Sequence, residues 1–277
     1  MKYITDIDRI IMNALKEDIP SGDITTDNII DETSESQAVL IAKDEGVIAG
    51  LDVAKRVFML LDDTIVFEKH VEEGQRVKYG DTIATIKGNT RAILKAERTA
   101  LNLLQRLSGI ATATRKLVDR IEGLPAKVVD TRKTTPGLRI LEKYAVRVGG
   151  GYNHRFSLSD GVLIKDNHIK AAGGIKKAIE RVRERIPHTL KIEVETETLE
   201  QVREAIDGKA DIIMLDNMGL DKMKEAVKMV NGNAITEASG NVNIDTIYDI
   251  ACTGVDIISV GGLTHSVHSF DISMKIY

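Results

Sequence analysis

Residues 190–217 read LKIEVETETLEQVREAIDGKADIIMLDN, and their pattern indicates the fold class. A short apolar run at 190–194 is followed by helically spaced apolar residues at 198–207 and by a second apolar run at 211–215. Such alternation predicts a strand, a helix and a second strand that runs parallel to the first. The stretch is therefore typical of an α/β protein.

The same unit repeats along the second half of the chain. The predicted strands lie at 127–130, 161–164, 190–194, 211–215, 234–236 and 255–260. The predicted helices lie at 137–147, 174–186, 198–207, 221–230 and 244–252. Repeated alternation favours one parallel sheet, but a complete eightfold barrel usually takes about 250 residues. Because only the stretch from about Ala113 to Asp271 is available, we expect an incomplete or compact barrel, with a doubly wound open sheet as the alternative.

The first half of the chain has a different pattern, which indicates a separate domain. Its predicted elements are a helix at 4–17, short strands within 37–49 and 65–87, and a long helical stretch at 91–122. Ser108–Gly109 predicts a break in the long helix, and Pro125 closes it. We place the N-terminal domain at residues 1–112 and the catalytic barrel domain at 113–277, with the last residues able to return to the N-terminal domain.

Composition narrows the classes of function. The formal net charge is −4, whereas a general nucleic-acid binder needs a surplus of lysine and arginine. The single cysteine, Cys252, cannot form an internal disulfide, and the acidic N-terminal residues are unlike a targeting segment. No uninterrupted apolar run approaches membrane-spanning length. We therefore expect a cytoplasmic protein with neither nucleic-acid nor membrane partners.

Chemically active residue types follow every predicted strand of the second half. In chain order they are Thr131–Thr134, Lys165–His168, Glu195, Asp216–Asn217, Glu237–Gly240 and Gly261–His265. In an α/β barrel the carboxyl ends of the strands converge on one face, and that face carries the active site. A purely structural barrel needs no such residues there, so the pattern predicts an active site at the barrel mouth.

The residue types at these strand ends favour a strongly anionic, phosphorylated substrate. The concentrated cations are Arg132, Lys133, His154, Arg155 and Lys165. Arginine forks match carboxylates and phosphates, and lysine supplies a point charge. Glu195 and Asp216 offer oxygen ligands for a Mg²⁺ that also contacts phosphates. Ser239–Gly240 and Gly261–Gly262, each before a predicted helix, let backbone N–H groups approach a phosphate. Together these features predict a phosphosugar transferase or lyase.

Other polar residues have simpler interpretations. We interpret Arg139, Lys143 and Arg147 as the solvated face of one predicted helix. His265 and His268 have helical spacing, but no further ligand completes a zinc set, so we favour phosphate contact for His265 and a structural role for His268. His70 and His188 are predicted to lie on the surface.

Several motifs resemble those of one enzyme family. In the first half they are Glu17–Asp18, Gly22–Thr26, Glu97–Asn102 and Leu107–Thr112. In the second half they are Asp130–Arg139, Glu142–Val146, Gly149–Arg155, Leu163–His168, Glu193–Glu195, Leu215–Asn217 and Val260–Ser266. On these motifs nearly the whole chain resembles quinolinate phosphoribosyltransferase, also called nicotinate-nucleotide pyrophosphorylase (carboxylating). Glu237–Asn241 is a mild variant of the more usual Glu-Ser-Ser-Gly-Gly.

The resemblance implies a fold, an assembly and a reaction. The fold is an N-terminal α/β sandwich joined to an incomplete, TIM-like α/β barrel. The assembly is a dimer, or a hexamer-type assembly of dimers, in which each barrel mouth is capped by the partner's N-terminal domain. The reaction joins quinolinate to phosphoribosyl pyrophosphate with Mg²⁺ and yields nicotinate mononucleotide, pyrophosphate and carbon dioxide, a step of NAD biosynthesis.

The resemblance also assigns roles to individual residues. Arg132, His154, Arg155 and Lys165 would hold the two quinolinate carboxylates, with Arg98 entering from the neighbouring subunit. The residues that would line the phosphate and pyrophosphate groups are Lys133, Lys165, Ser239, Gly240, Gly261, Gly262 and His265. The catalytic residues would be Lys133, Lys165, Glu195 and Asp216. Of these, Glu195 and Asp216 would hold the magnesium and face the ribose.

Two rival functions stay open at this point. A transferase of the same superfamily that accepts nicotinate or another small acid, or a molybdenum-associated paralogue, would share the barrel. The discriminating feature is the dicarboxylate grip of Arg98, Arg132, His154 and Arg155, which is intact. A non-catalytic carrier module built on the N-terminal hairpins is the second rival, and a carrier has no need of Glu195 and Asp216.

Overall fold

The computed structural model describes residues 6–277, which form two compact units. Unit 1 comprises the described part of Met1–Arg115 together with Thr134–Gly150 and Ser266–Tyr277. Unit 2 comprises Lys116–Lys133 and Gly151–His265. The predicted division at 112/113 separates two consecutive stretches, whereas each of these units is assembled from stretches that are separate in the sequence.

The described residues contain eleven helices and twelve strands. The helices are α1 Asp6–Asp18, α2 Ile24–Ile29, α3 Leu51–Leu61, α4 Thr90–Arg120, α5 Arg139–Val148, α6 Asp166–Ala172, α7 Ile175–Arg183, α8 Leu199–Asp207, α9 Leu220–Val230, α10 Ile247–Ala251 and α11 Gly262–His265. The strands are β1 Glu35–Ala42, β2 Gly46–Val47, β3 Val66–Lys69, β4 Arg76–Val77, β5 Thr82–Asn89, β6 Lys127–Val129, β7 Val162–Ile164, β8 Ile192–Thr196, β9 Ile212–Asp216, β10 Ile235–Ser239, β11 Ile257–Ser259 and β12 Ile272–Ile276. Among residues 6–277, no helix combines the length and apolar character that crossing a bilayer requires.

Unit 1 is built on a four-stranded antiparallel sheet in the order β12-β1-β5-β3. β1 alternates, so that Ala38, Leu40 and Ala42 are buried while the residues between them are partly exposed. This period of two predicts a strand with one face on a core. β12 pairs with β1 through Ala38 opposite Ile276, so the end of the chain is part of this sheet.

The predicted break at Ser108–Gly109 is wrong, because α4 runs unbroken from Thr90 to Arg120. Ser108 is buried, and its Oγ accepts a hydrogen bond from the backbone N–H of Ala49 at 3.0 Å. A Cβ added at Gly109 would lie 2.2 Å from the carbonyl oxygen of His268. The glycine is therefore needed for close packing between segments of unit 1 and does not interrupt the helix.

Unit 2 contains a six-stranded parallel sheet in the order β6-β11-β10-β9-β8-β7. A doubly wound sheet reverses its strand order at a switch point. Here β7 to β11 follow chain order without reversal, and the first strand, β6, lies beside the last. This is the order of a barrel with a seam between β6 and β7, two strands that do not pair within residues 6–277. The expected incomplete α/β barrel is confirmed and the doubly wound alternative is not.

The central strands reach further towards the carboxyl end than the sequence predicts. β8 ends at Thr196, β9 at Asp216 and β10 at Ser239, whereas the predicted strands end at 194, 215 and 236. Residues predicted to follow the strands, such as Glu195, therefore lie within them. The period-two backbone then decides which of their side chains face the interior of the sheet.

Candidate active site

A cavity of about 730 Å³ opens at the carboxyl ends of the unit 2 strands. The predicted site residues that line it are Arg132, Lys133, His154, Arg155, Lys165, Glu195, Asp216, Ser239, Gly240, Gly261, Gly262 and His265. These residues come from six strand ends and loops that are far apart in the sequence. Parallel strands carry them to one edge, which is how a barrel concentrates reactive groups.

Two depths of the cavity follow from alternation along β9 and β10. Asp216 and Ser239 end their strands and face the cavity, as do Met214 and Glu237, which precede them by two residues. Residues two apart on a strand point to the same side. The rim therefore carries Asp216 and Ser239, and the floor carries Met214 and Glu237.

Lys165 and Glu195 form an ion pair at the rim. Lys165 lies at the N-terminus of α6, and its Nζ donates to Glu195 Oε2. The lysine side chain is 47% exposed and the glutamate side chain 13%. One oxygen of Glu195 is thus engaged by the protein, while the lysine keeps enough freedom to meet an anion in the cavity.

His154 is held on both sides of its ring. Its backbone N–H donates to Asp130 Oδ1 at 2.9 Å, and its Nδ1 accepts from the backbone N–H of Arg155 at 2.8 Å. Because Nδ1 is an acceptor, Nε2 carries the ring proton. Nε2 lies 3.1 Å from Glu193 Oε2 and 3.6 Å from Glu237 Oε1. A carboxylate that binds His154 must therefore compete with one of these partners.

Two arginines provide the strongest anion-binding feature. Burial lowers the pKa of the Arg155 guanidinium from its usual value, the neighbouring Arg132 charge lowers it further, and Glu193 opposes both effects. Arg132 Nε is buried and has no hydrogen-bond partner. Buried donors in native proteins are normally satisfied, so two adjacent guanidinium groups with an unused donor fit a carboxylate ligand.

Gly240 permits a tight turn at the end of β10. Its φ is +97°, and a Cβ at this position would lie 2.2 Å from Asn217 Oδ1. Asn241 Nδ2 donates to the same oxygen at 3.1 Å. The predicted helix does not follow directly, because α10 begins only at Ile247. This glycine therefore opens backbone to the cavity without help from a helix N-terminus.

Gly261 lies beneath two predicted phosphate ligands. A Cβ here would lie 3.1 Å from Lys133 Cδ and 3.3 Å from His265 Nε2. Thr264 Oγ1 donates to the carbonyl oxygen of Lys133 at 2.7 Å, which ties the loop after β6 to the turn after β11. This hydrogen bond joins residues that are 131 positions apart in the chain, and it holds Lys133 and His265 on the same side of the cavity.

The predictions for residues outside the cavity can be compared with their exposure in the structure. Arg98 is exposed on α4 and belongs to unit 1. The solvated interpretation of α5 is wrong for Lys143, which is buried in unit 1, although Arg147 is exposed. His70 and His188 are exposed, as predicted, and His70 Nε2 lies 2.7 Å from Thr85 Oγ1. A helix has several faces, and only its packing decides which one is solvated.

The site also contains two glutamates that sequence reasoning did not assign. Glu193 and Glu237 are buried beside His154. Within residues 6–277, these three form the only group of three or more metal-ligating residue types close enough to share an ion, so His265 and His268 do not form such a group. The available sequence signal was a glutamate within or directly after an apolar run, Glu193 in 190–194 and Glu237 after 234–236, because a buried glutamate needs a partner.

Comparison with known proteins gives consistent findings over the whole chain. The C-terminal domain family of quinolinate phosphoribosyl transferase matches residues 110–275, and the N-terminal domain family matches residues 23–108. A probable nicotinate-nucleotide pyrophosphorylase [carboxylating] of Bacillus subtilis is 48% identical over 97% of this chain and 92% of that protein. A mitochondrial quinolinate phosphoribosyltransferase [decarboxylating] of Nicotiana tabacum is 43% identical over 98% of this chain and 82% of that protein. The crystal structure of NadC from Streptococcus pyogenes has a TM-score of 0.96 and 45% identity over 100% of this chain and 98% of that one.

Proposed function

The chain belongs to the quinolinate phosphoribosyltransferase family, and from that premise we propose how the unit 2 cavity carries out the reaction. The activity is that of a quinolinate phosphoribosyltransferase (decarboxylating), a transferase of pyridine nucleotide biosynthesis. Quinolinate and phosphoribosyl pyrophosphate form nicotinate mononucleotide, pyrophosphate and carbon dioxide. The observation that carries the assignment to this cavity is the buried Arg132 Nε, which has no partner, beside the Arg155 guanidinium.

Arg132 and Arg155 bind the two carboxylates of quinolinate in this proposal, with His154 and Lys165 beside them. Arg155 is anchored through Nη1, which donates to the carbonyl oxygen of Gly161 at 2.9 Å. An anchored fork holds a planar dicarboxylate in one orientation, and orientation supplies much of the rate in a two-substrate reaction.

In this proposal the phosphoribosyl pyrophosphate binds in the same cavity. The residues proposed to contact its phosphates are Lys133, Lys165, Ser239, Gly240, Gly261, Gly262 and His265, all of which line the cavity. The two lysines supply point charges for the leaving pyrophosphate, and the glycine turns supply backbone donors.

We propose that Mg²⁺ is held by Glu195 and Asp216, and the donor set fits this ion. Both carboxylates line the cavity, but one oxygen of Glu195 is engaged by Lys165 and Asp216 Oδ2 accepts from Asn217 Nδ2 at 2.7 Å. Two partly engaged carboxylates cannot enclose an ion. Magnesium is commonly held by one or two carboxylates with substrate phosphates completing its shell. When bound, the ion neutralises charge on the pyrophosphate.

The charges that develop during the reaction explain why the cavity contains both carboxylates and lysines. As the pyrophosphate departs, the ribose ring becomes positively charged, and the carboxylates of Glu195 and Asp216 stabilise it. Lys133 and Lys165 stabilise the departing anion. The pyridine nitrogen then bonds to the ribose, and the cationic ring accepts the electron pair left when the adjacent carboxylate is lost.

We further propose a dimer, or a larger assembly of dimers, in which Arg98 completes the dicarboxylate grip of the partner's cavity. Its support is the exposed position of Arg98 and the family resemblance of the surrounding Glu97–Asn102 motif. A cytoplasmic location is likewise a proposal, which fractionation of cells that produce the protein would test.

Separate assays with quinolinate and with nicotinate test the substrate. With phosphoribosyl pyrophosphate and Mg²⁺ present, the purified protein is expected to form nicotinate mononucleotide from quinolinate and to release carbon dioxide. Turnover of nicotinate without turnover of quinolinate would refute the assignment.

A further inference from the structure

The decarboxylation half of the reaction needs a proton donor. Loss of carbon dioxide leaves an electron pair on the ring carbon next to the nitrogen, and the product carries hydrogen there. Arg132 and Arg155 are assigned to binding the carboxylates, and an arginine guanidinium group is not a practical general acid. Lys165 donates to Glu195, and His154 Nε2 faces Glu193. We therefore do not assign the proton to any of these four side chains.

Glu237 has the position of such a donor. It lies on β10, is 1% exposed and lines the floor of the cavity. Its Oε1 has no hydrogen-bond partner and lies 3.6 Å from His154 Nε2. Glu193 is 3% exposed, and its Oε2 lies 3.1 Å from the same nitrogen. One ring proton is thus approached by two buried carboxyl groups.

Electrostatics favours a proton on Glu237. Two neighbouring buried carboxylates cannot both ionise cheaply, since each raises the cost of the other's charge. Burial, then the charge of Glu193, raises the pKa of Glu237 to about 7, and the facing His154 and Lys165 lower it. A carboxyl group that titrates near neutrality is suited to general acid catalysis at that pH.

We propose that Glu237 is a catalytic acid that protonates the ring carbon from which carbon dioxide leaves; this inference rests on the proposed function. The carbon–carbon bond to the departing carboxylate breaks, and its electron pair stays on the ring carbon. In the same step the O–H bond of Glu237 breaks as the new C–H bond forms, so the release of carbon dioxide depends on the proton. Glu237 becomes a carboxylate and takes a proton from water before the next turnover.

A divalent cation is the competing occupant of this cluster. The ligand atoms of His154, Glu193 and Glu237 lie within 4.8 Å of one another, which a metal ion could use. Arg155 lies close enough for Glu193 to influence its pKa, and Arg132 influences it as well. Two guanidinium charges oppose the binding of a divalent cation in this cluster. The proton on Glu237 is favoured by burial and by the charge of Glu193.

The test separates the two halves of the reaction in Glu237→Gln, which keeps the shape of the side chain but has no acid proton. In a rapid-quench experiment, the variant is expected to release pyrophosphate in the first turnover within about 3-fold of the wild-type rate. Carbon dioxide release should fall about 100-fold or more, in the range of a lost general acid. The carboxylated mononucleotide should then accumulate, with the KM for quinolinate changed by less than about 3-fold.

Two further measurements separate an acid from a structural role. Glu237→Asp keeps an acid at the same position and is expected to recover part of the carbon dioxide release. In the wild type, carbon dioxide release should fall as the pH rises through about 7, because the acid form is lost above its pKa, and this limb should be absent in Glu237→Gln.

Three results would overturn the role of Glu237 without affecting the proposed function, provided that the wild-type protein turns over quinolinate. They are unchanged carbon dioxide release in Glu237→Gln, an equal loss of pyrophosphate and carbon dioxide release, and a stoichiometric metal ion in the wild type that Glu237→Gln lacks. A folded wild-type protein without turnover of quinolinate would overturn the proposed function, and the inference with it.

Discussion

The carboxylate of Glu142 on α5 is fully buried in unit 1, and its replacement by alanine is expected to destabilise the protein strongly. The side chain is 0% exposed. Its Oε1 accepts from Arg106 Nε at 3.0 Å and from Arg106 Nη2 at 2.7 Å, and its Oε2 accepts from the backbone N–H of Thr135 at 3.0 Å. Three hydrogen bonds, two of them between charged groups, therefore depend on one carboxylate.

The expected loss follows from burial on both sides of the pair. Arg106 has only 25% of its side chain exposed, so solvent cannot replace the carboxylate fully. Removing one partner of a buried ion pair typically costs about 3–5 kcal/mol. At about 2–4 °C per kcal/mol for proteins of 150–250 residues, the thermal midpoint should fall by roughly 6–20 °C.

Calorimetry of Glu142→Ala beside Glu17→Ala measures this loss. Glu17 is exposed on α1 of the same unit, and its replacement should change stability by no more than about 0.5 kcal/mol. Glu142→Gln keeps the volume and one acceptor oxygen and should lie between the two. If Glu142→Ala unfolds at the same midpoint as Glu17→Ala, the reasoning from burial and hydrogen bonding is wrong.

Three further predictions concern the site. Glu195→Ala and Asp216→Ala should each lower kcat by about 10²–10³ with little change in quinolinate affinity, since they act on transition-state charge; near wild-type kcat at saturating Mg²⁺ would contradict the assigned role. Arg98→Ala and Arg132→Ala chains, each nearly inactive alone, should regain activity when mixed, because a two-fold dimer would contain one site with both lesions and one with neither. No recovery despite proven subunit exchange would remove Arg98 from a shared site. Gly240→Ala should raise the KM for phosphoribosyl pyrophosphate at least about 10-fold, because the new Cβ meets the neighbouring asparagine oxygen and the backbone has φ +97°; an unchanged KM would show that this turn does not bind phosphate.

The α/β alternation of the second half was predictable because it is a local property of the chain. Apolar runs of strand length and helically spaced segments identify themselves within ten to fifteen residues. The polar ends of the strands were predictable for the same reason, and a parallel barrel requires those ends to meet. The family motifs then specified which of these residues belong to a dicarboxylate and phosphate site.

Local patterns fail where a residue's environment comes from distant segments. Gly109 predicts a break, but its small size serves the close approach of His268, which lies 159 positions later in the sequence. Lys143 has the spacing of a solvated helix face, yet it is buried. In both cases packing against remote parts of unit 1 overrides the local preference.

The kinds of element, their order and the reactive residue types at the strand ends could all be read from local patterns in the chain. Folding of the whole chain places β6 beside β11, leaves the sheet open next to β7, and brings Glu193 and Glu237 together at His154. The physical reason is that secondary structure follows from short-range periodicity, whereas contacts between strands depend on how the sheet closes and in which register. A glutamate inside an apolar strand needs a polar partner when it is buried, and the folded barrel places His154 beside both Glu193 and Glu237.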